Sequence, residues 1–157
     1  VKTERYKGAV VASLSAEEAA EIFDLRALLE PEIIRDAVPR MSKALLSQAR
    51  ESCFAFSNSS NTMKWGDLNR EFHDFLYSAS TLKYFTEITD SAMDRVDRYI
   101  RAQLVMSNGM ERANLEHSAI LEACERGDAE LASRLTKEHI LGAKHSLLAH
   151  FPKPAKG

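Results

Sequence analysis

Apolar residues recur three or four positions apart along most of the chain, the period of helices that bury one face. Ser15 and Glu18 form an S-x-x-E capping box, after which Ile22, Phe23, Leu25, Leu28, Leu29, Ile33 and Ile34 define a broad apolar face up to Ala37. Pro31 is expected to bend this helix and Pro39 to end it. Ser42 caps a second helix through Leu45, Leu46, Ala49, Cys53 and Phe56, which stops in the polar run Asn58, Ser59, Ser60, Asn61. The spacing of Leu68, Phe72, Phe75, Leu76 and Ala79 predicts a third helix over 63–79, and Phe85, Ile88, Ala92, Val96, Tyr99 and Ile100 a fourth over 82–106. Asn108-Gly109 breaks the chain. A fifth helix then carries Leu115, Ile120, Leu121 and Cys124 to a stop at Gly127, and Asp128 caps a sixth with the stripe Leu131, Leu135, Ile140, Ala143, Leu147, Leu148.

Six helices with short connections imply an all-α, antiparallel bundle. The first dozen residues differ: Tyr6, Gly8, Val10 and Val11 read as one strand of a hairpin whose partner strand is expected upstream of the sequence. The expected organisation is a strand and linker over 1–14, the bundle over 15–151 and a Pro- and Lys-containing tail over 152–157.

The length of 157 residues suits one domain with its own core. Lys and Arg number 21 against 23 Asp and Glu, a net charge of −2 without a basic cluster, so this chain by itself is a poor holder of nucleic-acid phosphates. Cys53 and Cys124 both lie in apolar stretches and read as buried thiols of a reducing compartment. No apolar run approaches the roughly 18–20 residues of a membrane span, and the expected location is cytoplasmic.

Histidines are the most informative polar residues. Asn69 and His73, at i and i+4, share the inner side of the third helix with Phe72 and Leu76. His117 lies among Ala113, Ile120 and Cys124, and His139 near Leu135, Ile140 and Ala143, each on an inner face. Three inward imidazoles from three helices can converge on a divalent ion such as zinc, nickel, iron or copper and leave positions open, or they can be core residues satisfied by packing. His145 and His150 read as solvated. On the fourth helix Arg95, Arg98 and Arg101 recur beside Tyr99; they read either as forks for a carboxylate or as a solvated face paired to Asp94 and Asp97. Arg26 precedes Glu30 by four residues and reads first as an intrahelical pair. No nucleophile motif, phosphate loop, HExxH or CxxC occurs, and Glu71 and Glu116, the acids nearest the histidines, are expected to face outward.

The string from Tyr6 to Ser15 resembles the end of a winged helix-turn-helix wing running into a linker. Leu25-Arg26-Ala27-Leu28-Leu29-Glu30-Pro31, Asn69-Arg70-Glu71-Phe72-His73, Glu116-His117 through Ala123, Gly127-Asp128-Ala129 and Glu138-His139 follow in order. Together they resemble the FCD effector domain of GntR-type bacterial transcriptional regulators of the FadR-like subfamily. The resemblance implies a bundle of six or seven helices around a central cavity, dimerisation, and control of an N-terminal DNA-binding domain that alone contacts the operator. It further implies a small effector and a divalent metal held by an Asp and a His on one helix and two later histidines; from the histidines and the helix-four arginines, the expected occupants are a small organic acid and zinc or nickel. Carried over by position, the ligands are Asn69 in place of the Asp, then His73, His117 and His139. An amide oxygen is neutral and a weaker ligand than a carboxylate, so metal affinity is expected to be lower. Asn69, Arg98, Arg101, Tyr99 and Arg26 are the candidate effector contacts. The alternatives are a three-histidine metalloenzyme, in which the ion activates water, and a purely structural dimerisation bundle.

Overall fold

A computed structural model describes residues 13–106 and 109–151. The expected strand at Tyr6 to Ala12 and the tail from Pro152 lie outside the described residues. The rest is helical: α1 (Ala16–Ala37), a 3-10 turn (Val38–Arg40), α2 (Lys43–Asn58), α3 (Thr62–Tyr77), α4 (Lys83–Val105), α5 (Gly109–Glu125) and α6 (Ala129–Ala149).

Local chemistry sets these boundaries. The Ser15 hydroxyl accepts from Glu18 N while the Glu18 carboxylate accepts from Ser15 N, closing the capping box. Ser42, Asn61 and Asp128 cap α2, α3 and α6 by accepting from Leu45, Met63 and Leu131 N–H groups. α5 ends in a Schellman turn: Gly127 has φ 71°, its N–H donates to the Cys124 carbonyl, and the Asp128 N–H donates to the Ala123 carbonyl. α1 runs uninterrupted through Pro31, and Pro39 sits in the 3-10 turn that ends it.

α1 packs along α6 and across α4, and α2 lies between α3 and α5. Two apolar clusters result. One gathers Phe23, Phe56, Val96, Tyr99, Ile100 and Ile140; the other gathers Ile33, Ile34, Phe72, Leu76, Ile120 and Leu121. Not every apolar residue of the sequence stripes joins them: Leu25 is 38% exposed, Leu28 69% and Leu115 70%. Each lies on the flank of its stripe, where no neighbouring helix covers it. Asp36 of α1 ties down the α3–α4 connection, its carboxylate accepting from Thr81 N at 2.7 Å and the Ser80 hydroxyl at 2.9 Å.

Candidate functional site

Helical phase alone turns His73, His117 and His139 inward, and tertiary packing brings them together. Their ring centroids form a near-equilateral triangle of 4.9, 5.1 and 5.2 Å. One nitrogen from each lies within 4.8 Å of the others. His117 is wholly buried, wedged between the Phe56 and Phe72 rings at 4.8 and 4.7 Å.

The nitrogens are poorly satisfied. Both ring nitrogens of His117 and Nε2 of His73 are buried without a hydrogen-bond partner. A neutral imidazole offers one donor and one acceptor, and each left unpaired in the interior is costly. Burial foremost, then the neighbouring imidazoles and, for His73, Arg26, hold both rings well below the usual histidine pKa. They are therefore neutral at physiological pH, the form that ligates a metal. The orphaned nitrogens of His73 and His117, with His139 beside them, fit a divalent transition ion.

Beside the triangle lies a cavity of about 30 Å³ bordered by Asn69, His73 and His139, with Arg26, Gln103, Arg112 and Glu116 completing the polar wall. That is room for two or three waters at about 10–15 Å³ each. Asn69 is buried on the same face as His73. Arg26 is 4% exposed; its Nε donates to Glu30 at 2.5 Å, and Glu30 also accepts from the Tyr77 hydroxyl at 2.7 Å. The expected Arg26–Glu30 pair is present, and its guanidinium also borders the cavity. Burial, reinforced by Glu30, pushes the Tyr77 hydroxyl well above its ordinary range, so it stays a donor.

The helix-four candidates do not line this cavity. Arg98 donates to the Tyr99 hydroxyl at 3.0 Å, and that hydroxyl accepts from Leu14 N at 3.0 Å. The Tyr99 ring stacks on Phe151 at 5.0 Å, so the pair fastens the two ends of the described chain. Arg101 reaches Asp67 and Asp97 on the outer side of α3 and α4. The physical reason is phase: Val96, Ile100, Gln103 and Leu104 take the inward side of α4 and rotate the arginines off it.

Glu116 corrects the sequence reading in the other direction. Expected to face outward, it borders the cavity, and its carboxylate accepts from His139 Nδ1 at 2.7 Å. Arg112, one turn earlier, donates to the Gly142 carbonyl at 2.9 Å. The i, i+4 spacing of Arg112 and Glu116 was the available signal, although only α6 lying across that side of α5 gives it meaning. Glu71 is exposed, as expected, with Ser52 within 3.4 Å. His145 and His150 are both exposed.

Fold and site together define an all-helical bundle with histidines bordering an interior cavity. The FCD domain family matches residues 21–142, and the chain belongs to that family. It is 26% identical over 148 residues to the HTH-type transcriptional repressor GlaR of Escherichia coli strain K12, covering 86% of this chain and 66% of that protein. Its fold matches the crystal structure of a GntR-family transcriptional regulator from Pseudomonas syringae pv. tomato DC3000, with a TM-score of 0.75 and 24% identity over 94% of this chain and 62% of that one. The chain thus spans about two thirds of the length of either relative. Both of these relatives are transcriptional regulators by name, and the family shown for this chain is that of the FCD domain. No described helix is long and apolar enough to cross a membrane.

Proposed function

We propose that this domain is the effector-sensing and dimerising half of a GntR-type regulator, in which a small carboxylate bound at the central cavity changes DNA binding by a winged helix-turn-helix on its N-terminal side. The observation that carries this reading is the triangle of buried histidines with unpartnered nitrogens opening on a polar cavity. His73, His117 and His139 would hold a divalent ion, zinc or nickel, with Asn69 beside them as a neutral oxygen donor. When bound, the ion supplies positive charge and open coordination positions for a carboxylate. Arg26 and Arg112 supply cationic hydrogen-bond donors on the same wall, and Gln103 and Asn69 neutral ones.

Size makes the site responsive. A cavity of about 30 Å³ cannot enclose an organic acid, so binding separates the helices that close it. A ligand that fits only the opened arrangement shifts the population toward it, and couplings of this kind amount to about 1–3 kcal/mol. Transmitted through a dimer, that shift changes the spacing of the DNA-reading domains.

The test is elemental analysis and zinc calorimetry on the wild type and the His73→Ala, His139→Ala double variant, followed by a thermal-shift screen of carboxylic acids with and without EDTA. Metal in the wild type, its loss in the variant and EDTA-sensitive shifts are expected. Equal metal content in both proteins overturns the assignment of the metal site, and silence throughout the acid screen leaves a structural bundle as the better description.

A further inference from the structure

The three histidines are not held alike. His117 has no partner on either nitrogen and His73 none on Nε2, whereas His139 Nδ1 is bound at 2.7 Å to Glu116 of the neighbouring helix. We propose that Glu116 is a positioning residue that presets His139 as the Nδ1–H tautomer, with its Nε2 lone pair free for a ligand, before any ion arrives.

A carboxylate accepts hydrogen bonds and donates none, so a neutral His139 satisfies Glu116 only with its proton on Nδ1. A free imidazole favours the opposite tautomer, so the contact selects a form the ring does not adopt by default. It also fixes the ring plane: His139 is 8% exposed and bound at one edge, and it stacks on His73 at 26° between planes. Arg112, four residues earlier on α5, donates to the Gly142 carbonyl three residues beyond His139, so a second hydrogen bond joins α5 to α6 about one turn from the Glu116 contact. A carboxylate behind a ligating imidazole raises its basicity and holds its orientation; losing such a partner typically lowers metal affinity by about 10–100-fold. The effect on affinity rests on the proposed metal site, whereas the tautomer does not.

The experiment compares wild type, Glu116→Ala, Glu116→Gln and the exposed control Glu111→Ala. The His139 tautomer is read in EDTA-treated protein by long-range ¹H–¹⁵N imidazole correlations, and zinc affinity by competition with a chromophoric chelator. Wild type and Glu111→Ala are expected to show Nδ1–H at His139. Glu116→Ala is expected to move toward Nε2–H and to bind zinc about 10–100-fold more weakly. Glu116→Gln keeps the side-chain shape but can donate as well as accept, so it gives a tautomer mixture and an intermediate affinity. This second variant guards against a fold defect in the first. An Nε2–H tautomer in the wild type, or Nδ1–H retained in both Glu116 variants, overturns the inference. A wild type that shows Nδ1–H at His139 yet takes up no zinc supports the positioning role and overturns the metal-site reading instead.

Discussion

Replacing His117 by leucine inverts the usual consequence of a core substitution. His117 is fully buried between Phe56 and Phe72, and neither ring nitrogen has a partner. In metal-free protein each unpaired nitrogen costs about 1–3 kcal/mol, which a leucine of similar volume removes. Imperfect shape returns usually less than about 1.5 kcal/mol. With both nitrogens relieved, the metal-free variant is therefore expected to be more stable than wild type by about 0.5–4.5 kcal/mol, roughly 1–18 °C in melting temperature at this chain length. Zinc reverses the order: at a hundred times Kd it adds about 2.7 kcal/mol to the wild type and far less to a variant missing one ligand. The assay is scanning calorimetry of both proteins in EDTA and in excess zinc. If His117→Leu in EDTA loses the 2 kcal/mol or more typical of a damaged core (~2–5 kcal/mol), or gains as much from zinc as the wild type, the reasoning from orphaned nitrogens is wrong.

Four further outcomes follow from other parts of the molecule. Asp36 is held down to about 2 by hydrogen bonds from Thr81 N, Ser80 and the Thr81 hydroxyl, aided by Arg40; a folded pKa below the ordinary 3.8 means its stabilisation is complete above 3.8 and is lost as pH falls toward 2. Urea midpoints between pH 5 and 2 should fall less steeply in Asp36→Asn than in wild type. Gly142→Ala should stabilise by about 0.5–1 kcal/mol, because the added Cβ makes only ordinary contacts, 3.4 Å to Arg112 Nη1 and 3.6 Å to Glu116 Oε2, within a helix that gains propensity. Gly109→Ala should instead cost about 1–3 kcal/mol, since its Cβ would fall 2.4 Å from the Gln103 carbonyl oxygen; chemical denaturation distinguishes the two. Burial pushes Cys124 up to about 12 and also raises Cys53, so neither thiol should react with DTNB at pH 8 until denaturant is added.

The helix ends were legible because they are decided within a few residues. Ser15 with Glu18, Ser42, Asp128 and the left-handed Gly127 act on their own backbone neighbours, and the structure uses each of them as the sequence suggests. The width of an apolar face is another matter. Leu28 and Leu115 continue their stripes by period, yet whether a flank position is covered depends on a helix tens of residues away.

The site divides along the same line. Histidine phase was visible within each helix, and so was Arg26 with Glu30, but the second function of a residue was not. Arg26 is at once an ion-pair member and a wall of the cavity; Glu116 is next to His117 in sequence, and turned away from it, yet it meets His139 from the side because α6 crosses there. These double engagements bear on how sensing would work. Arg26 is held by Glu30, Arg112 by the Gly142 carbonyl and His139 by Glu116, so these three cavity groups, unlike His73 Nε2, already have a protein partner to release or share when a carboxylate arrives. Those partners belong to α1, α6 and α5 respectively. A ligand that recruits Arg112 therefore loosens α5 from α6, and one that draws Arg26 from Glu30 disturbs the Tyr77 contact that links α1 to α3. On the proposed function, occupancy of the cavity would be converted into altered helix packing through three specific hydrogen bonds, a tighter coupling than an empty preformed pocket of the same chemistry provides.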